Sequence, residues 1–206
     1  MCSRMRVLVA CEESAKVREA FRLMGHDAWS CDLQETRVPG NHIKGDVIGI
    51  LDDGWDLMIA HPVCTRLANS GVRWLHKPPK GKTKDEMWTE LEDAARFYVT
   101  LRDAPIKKKA IENPIMHKYA KELIGEMKRQ IVQPWWFGDP AFKGTGFELI
   151  NLPELIPTNK LSPPAPGTDE HKLWSKCHRM PPSKDRAKMR SETYQGIADA
   201  MASQWG

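Results

Sequence analysis

Asp56-Leu57-Met58-Ile59-Ala60-His61-Pro62-Val63-Cys64-Thr65 is the stretch that decides the fold. Its first half is a short, unbroken apolar run. Such a run reads as a strand buried on both faces, and so as part of a parallel sheet. Its second half leaves the strand at a proline and presents a cysteine outside the carboxyl end, where open α/β folds place their ligands. A second such place lies 48 residues downstream, where Lys109-Ala110-Ile111 runs into Glu112-Asn113-Pro114. A thiol and a carboxylate on separate strand ends point to covalent catalysis with an acid partner.

Working outward, strands are expected at residues 6–11, 28–31, 108–111, 130–135 and 147–150, with a short apolar segment at 47–51. Helices are expected at 13–24, 84–102, 117–127 and 186–204. The first of these carries Val17, Ala20, Phe21 and Met24 on one face and stops at Gly25. This alternation predicts a doubly wound, mostly parallel, Rossmann-like α/β sheet in a single domain, residues 1–206. Two long segments without periodicity, 65–84 and 156–183, are expected to be a mobile basic loop and a proline-rich arm.

Composition narrows the function. The chain has 206 residues, a net charge of +4, and 41% hydrophobic residues, all ordinary for a water-soluble protein. No apolar run is long enough for a membrane span, and the first apolar run, 7–10, is too short for a signal peptide. The five cysteines include no C-x-x-C pair, so neither a disulfide framework nor a metal site is expected. That usage fits a reducing cytoplasm. Basic residues crowd two regions, Arg73–Lys84 and Lys172–Arg190, which suits a phosphate-bearing partner. For any single lysine there, a solvated surface is the simpler explanation.

The remaining strand ends form an ordered set. Cys11-Glu12-Glu13-Ser14 follows the first strand and Asp32-Leu33 closes the second. Gly45-Asp46-Val47 lies in the next connection. An acid about 20 residues after the first turn is placed to accept hydrogen bonds from a ribose. Asp46, acceptor-only when ionised, is suited to an adenine amine. Each aspartate taken alone reads as a cap or turn residue; the ordered set reads as an adenosine site.

With these motifs the chain resembles the cytosine-C5 methyltransferases, and more narrowly their short bacteriophage-encoded members. Pro62-Val63-Cys64 resembles the family's Pro-Cys nucleophile motif, and Glu112-Asn113-Pro114 its Glu-Asn-Val motif. Gly45-Asp46-Val47, 18 residues before the cysteine, resembles its third motif. The resemblance covers about residues 6–150, with a weaker echo at 190–201. It implies a class I methyltransferase fold, S-adenosylmethionine as cofactor, and methylation of cytosine in DNA or in a free cytidine nucleotide. Cys64 would attack C6, Glu112 would meet N3, and Asn113 would hold the loop of Glu112. Arg66 or a helix N-terminus would help ionise the thiol.

By the same resemblance Cys11, Glu12, Glu13, Ser14, Asp32, Leu33, Asp46, Val47, His61, Pro62 and Gln195 would surround the cofactor. Asn69, Ser70 and Arg73, with Lys143 and Thr145 in place of the family's arginines, would meet the substrate. The sequence departs from the family twice. Its first turn is acidic where the family is glycine-rich, and only about 40 residues separate Phe147 from the last helix, too few for a target-recognition domain. A weakly specific or partner-dependent enzyme, a free-nucleotide enzyme, and an idle nucleic-acid-binding module therefore all stand as readings, with homodimerisation left open. Bacteriophage origin would put the protein in a host bacterium's cytoplasm.

Overall fold

The computed structural model describes residues 3–125, 127–181 and 190–206. Seven strands form one sheet: β1 (Arg6–Ala10), β2 (Asp27–Asp32), β3 (His42–Lys44), β4 (Leu57–Ala60), β5 (Lys108–Asn113), β6 (Arg129–Val132) and β7 (Thr145–Ile150). Their spatial order is β3-β2-β1-β4-β5-β7-β6. From β3 to β5 every pairing is parallel, while β7 runs antiparallel to both β5 and β6. This is the Rossmann-like, doubly wound, mostly parallel fold expected. The strand order reverses between β1 and β4, so the turns after those two strands flank the crevice at the topological switch point.

Alternation along the strands divides the core into two layers. On one face Leu8, Ala10, Met58, Ala60 and Ile111 pack with Met87, Leu91 and Tyr98 of α3 (Lys84–Asp103). On the other, Val7, Val9, Leu57, Ile59 and Ala110 pack with Val17 and Phe21 of α1 (Lys16–Leu23) and with Ile197, Met201 and Trp205 of the last helix. Thr83 and Glu86 close a reciprocal capping box at the start of α3, which fixes where that helix begins. Both faces of β1 and β4 are covered, which explains why these strands read as continuous apolar runs.

The structure corrects several expected boundaries. Helix α1 begins at Lys16, because residues 11–15 form a turn that Glu12 caps from behind. Strand β3 carries no apolar pattern; backbone pairing to β2 alone makes His42-Ile43-Lys44 a strand. Strand β5 continues through Asn113, so Glu112 sits within a strand rather than in a loop beyond it. Residues 65–84 are not one loose loop. They contain a 3-10 turn at Asn69–Gly71 and a helical turn, α2 (Arg73–His76), anchored by the buried Leu67 and Leu75. After α4 (Lys118–Ile124), the proline-rich arm carries α5 (Asp169–Trp174) and α6 (Lys176–Arg179). The last helix, α7, runs Gln195–Trp205 and packs back on α1; residues 192–194 before it are non-helical, and 186–189 lie outside the described residues.

Candidate functional site

The centre of the site follows from strand register. Ala10 pairs with Ala60 and Ala60 with Ile111, so the next residues, Cys11, His61 and Glu112, stand side by side at the carboxyl edge. The His61 N–H donates to the Ala10 carbonyl at 2.9 Å. Its Nδ1 lies 2.7 Å from Glu112 Oε2, with the two side chains only 10% and 20% exposed. Pro62 then turns the chain out of the sheet. The Cys64 carbonyl accepts from the Leu67 and Ala68 N–H groups at 3.0 and 2.9 Å, closing a turn that carries the half-buried thiol.

Charge around this centre is mixed. Burial and the neighbouring Glu112 carboxylate push the Cys64 thiol up, while its own backbone hydrogen bond, Lys143 and Arg190 pull it down; the net shift is upward. Burial pulls Glu112 up, but the His61 hydrogen bond, Lys143 and the His61 charge outweigh it and hold the carboxyl below its ordinary range. Glu112 is thus ionised near neutral pH beside a thiol that resists ionisation. The cations acting on Cys64 are Lys143 and Arg190. Arg66, expected for that task, is tied with Lys82 to Glu90.

A second group lies at the ends of β1, β2 and β3. Cys11 and Ala15 both adopt left-handed backbone, with φ of 60° and 65°. The turn takes the positive-φ geometry that a glycine-rich motif provides without strain, and takes it with non-glycine residues at a cost of roughly 1–2 kcal/mol each. Glu12 is buried, and its two oxygens accept from Val17 N–H, Arg18 N–H and the Ser14 hydroxyl. Glu13 pairs with Arg37. Both carboxylates of the acidic turn therefore answer groups of the protein itself.

Burial and the charges of Asp32, Cys31 and Asp46 push the Cys11 thiol up to about 12. Burial and both aspartates push Cys31 up to about 11. These mutual effects place Cys11, Cys31, Asp32 and Asp46 in one neighbourhood. Asp32 Oδ1 accepts from Gln34 N–H at 2.9 Å, and Asp46 Oδ1 caps the 3-10 helix Val47–Ile50 through Ile48 N–H at 3.0 Å. Among the described residues the second oxygen of each takes no hydrogen bond, so each carboxylate keeps an open acceptor. Leu33 is exposed beside them and Val47 is buried beneath.

The other expected residues divide. Lys143 stands within electrostatic reach of Glu112, its ammonium on the Glu192 carbonyl at 2.9 Å. Thr145, buried, opens β7 and donates to the Lys143 carbonyl. Asn113 faces the α3 side of the sheet, where its amide donates to Sδ of Met127 at 3.3 Å, in the connection after α4. Gln195 is exposed at the start of α7, bonded to Asp199. Asn69, Ser70 and Arg73 are exposed on the segment after Cys64, with the Arg73 guanidinium 4.2 Å from the Trp74 ring. Trp74 and Trp88 are half-buried against the core. No cluster of metal-ligating residues occurs among the described residues, and none of their helices is long and apolar enough to cross a membrane.

Four residues that the sequence motifs do not mark, Arg18, Arg37, Lys16 and Glu192, organise the site. Arg18 is fully buried and donates to Ser30, Thr36 and the carbonyls of Val38, Pro39 and Asn41, pinning the 36–41 loop. From that loop Arg37 reaches Glu13 and Glu192, and Lys16 also pairs with Glu192 at 3.0 Å. Glu192 thereby joins the segment before α7 to the turn after β1. A lone charge on a helix's apolar face was the available signal for Arg18; the Glu192 partners lie 155 and 176 residues away and gave none.

No protein-family model matches this chain, and no curated protein matches it. Solved structures do. One is a candidate DNA modification methyltransferase encoded within a prophage of E. coli, at 15% identity and a TM-score of 0.47, covering 76% of this chain and 51% of that one. Another is the methyltransferase EhMeth of Entamoeba histolytica, at 13% identity and a TM-score of 0.46, covering 78% and 58%. The chain thus spans between about half and three fifths of these proteins' lengths.

Proposed function

We propose that this chain transfers a methyl group from S-adenosylmethionine to C5 of cytosine in DNA, through covalent addition of Cys64 to C6. The observation that chiefly supports this reading is the placement of Cys64 and Glu112 on adjoining strand ends, next to the Asp32–Asp46 pair. The open oxygens of Asp32 and Asp46 suit the hydroxyls and amine of an adenosine, and the left-handed turn at Cys11 lets backbone approach it closely. Bound there, S-adenosylmethionine would supply an electrophilic methyl group.

In this mechanism the Cys64 thiolate forms the S–C6 bond, and the displaced ring electrons collect toward N3. Glu112 meets N3 and neutralises that charge with a proton, while Lys143 stands beside the carboxylate. The ring has then become nucleophilic at C5. Solvent water then takes the C5 proton, and the freed C–H electron pair reforms the C5–C6 double bond as the thiolate leaves. In duplex DNA the base would have to be flipped out.

A second reading, methylation of a free cytidine nucleotide, is favoured by the short arm. Among the described residues only α5 and α6 stand between β7 and the segment leading to α7. Tritiated-methyl transfer to DNA, RNA, dCMP and CMP side by side separates these readings. Label in DNA cytosine supports the first, and label in a mononucleotide the second. No label in any substrate, with no S-adenosylmethionine binding by calorimetry, overturns both in favour of a non-catalytic binding module.

A further inference from the structure

The site as built holds Glu112 ionised, while the proposed chemistry needs a proton at that carboxyl when N3 becomes basic. A source for the proton lies in contact. We infer that His61 both positions Glu112 and delivers its proton, a role that rests on the reading above.

The geometry is specific. Register sets His61 and Glu112 side by side, and the Nδ1–Oε2 distance is 2.7 Å. An ionised carboxylate only accepts, so Nδ1 carries the hydrogen of that bond. The other ring nitrogen, Nε2, is buried without a partner among the described residues, on a side chain nine-tenths buried. Other histidines of the chain differ. His42 contacts the Ser30 hydroxyl and the Gln34 carbonyl, and His117 the Arg66 carbonyl and the Ala120 N–H, so both of their nitrogens are engaged. A buried polar atom left unpaired carries a desolvation cost. At His61 that atom is the end of the ring that must be able to hold a second proton. The charged and titratable groups around the pair are Cys11 from the turn after β1, Cys64 from the turn after β4, Lys143 from the segment before β7 and Arg190 from the segment before α7.

The step balances without any redox partner. The Cys64 sulfur lone pair forms the S–C6 bond and a ring π pair moves to N3. N3 takes a proton through Glu112, and Glu112 takes the Nδ1 proton of the imidazolium. The N–H pair stays on the ring, leaving neutral imidazole with hydrogen on Nε2. When the thiolate is expelled the proton returns by the same path.

The test is His61→Asn, whose amide nitrogen takes the place of Nδ1 and keeps the hydrogen bond but cannot pass on a proton. The readout is the rate of covalent adduct formation, in the presence of saturating S-adenosylmethionine, with a duplex containing 5-fluoro-2′-deoxycytidine, and with 5-fluoro-dCMP, from pH 5 to pH 8. At pH 8 the variant should be about 100-fold slower than wild type, the usual worth of a positioned acid, with probe affinity changed less than threefold. The deficit should shrink steadily toward pH 5, because solvent then protonates Glu112 directly. A deficit equal at every pH, or one arising from lost probe binding, overturns the role of His61 and leaves the proposed function standing. If His61→Asn fails to fold by circular dichroism, His61→Gln is read by the same ratio against pH. Absence of any adduct in the wild type overturns the proposed function and this inference together.

Discussion

Replacing Glu112 by glutamine should make Cys64 more reactive toward a simple alkylating agent, although it removes the acid on which turnover depends. In the wild type the ionised Glu112 carboxylate is the second cause, after burial, of the raised Cys64 thiol. Glu112→Gln removes the like charge, leaves burial in place, and leaves the backbone hydrogen bond, Lys143 and Arg190 to oppose it. The thiol midpoint should therefore fall. Below the midpoint each unit of fall multiplies the thiolate about tenfold, and the accompanying loss of nucleophilicity reduces the net gain to about three- to fourfold. We expect alkylation by iodoacetamide at pH 7.5 to run about three- to tenfold faster in the variant. Mass spectrometry of the Cys64 peptide reads the rate. Cys11 and Cys31, pushed up to about 12 and about 11, serve as slow internal references. An unchanged or slower rate would refute the electrostatic coupling of Cys64 and Glu112, and with it the geometry of the proposed site.

Arg18→Met keeps an apolar stem but drops the guanidinium. Several of its acceptors lie on the exposed 38–41 loop and can turn to water, so we expect a loss of about 2–3 kcal/mol rather than the 3–5 of a stranded buried charge; calorimetry should record a thermal midpoint roughly 4–12 °C lower. Asp32→Asn retains the oxygen that accepts from Gln34 but replaces the open acceptor by a donor, and should weaken S-adenosylmethionine binding about 10- to 100-fold in titration calorimetry; unchanged affinity removes Asp32 from the adenosine site. Burial raises Glu192, but Lys16 and Arg37 outweigh it and hold its carboxyl low. Its contribution to stability is therefore present above the unfolded carboxyl range and lost as pH falls through the folded value. Glu192→Gln should accordingly flatten the fall in thermal midpoint between pH 6 and pH 3, and an equally steep fall contradicts the bridge.

Where the chain was legible, burial wrote it. The apolar runs at 7–10 and 57–60 must face core on both sides, so no other element fits them, and α3 announces its start through Thr83 and Glu86. Strand β3 left no pattern because its identity lies in pairing to β2 rather than in its own side chains. The turn after β1 was hard to read for a related reason. Its left-handed residues, Cys11 and Ala15, are not the glycines that usually mark such geometry. The candidate nucleophile and acid are visible as motifs; register sets Glu112 beside His61, and the Glu112 charge reaches Cys64 from the turn beyond β4. The cations around them could not be assigned from proximity in sequence. Arg66, two residues from Cys64, is held by Glu90, whereas Lys143 and Arg190 arrive from far along the chain.

Methyl transfer by this route requires that Cys64 form a covalent bond to the pyrimidine ring. Incubation with S-adenosylmethionine and a duplex containing 5-fluoro-2′-deoxycytidine, followed by digestion and mass spectrometry, tests it directly, with 5-fluoro-dCMP in parallel. The account predicts a methylated fluoropyrimidine attached to the Cys64 peptide, absent in Cys64→Ser, which also loses methyl transfer to the unmodified substrate. Methyl transfer that persists in Cys64→Ser, or an adduct on any other residue, would contradict it.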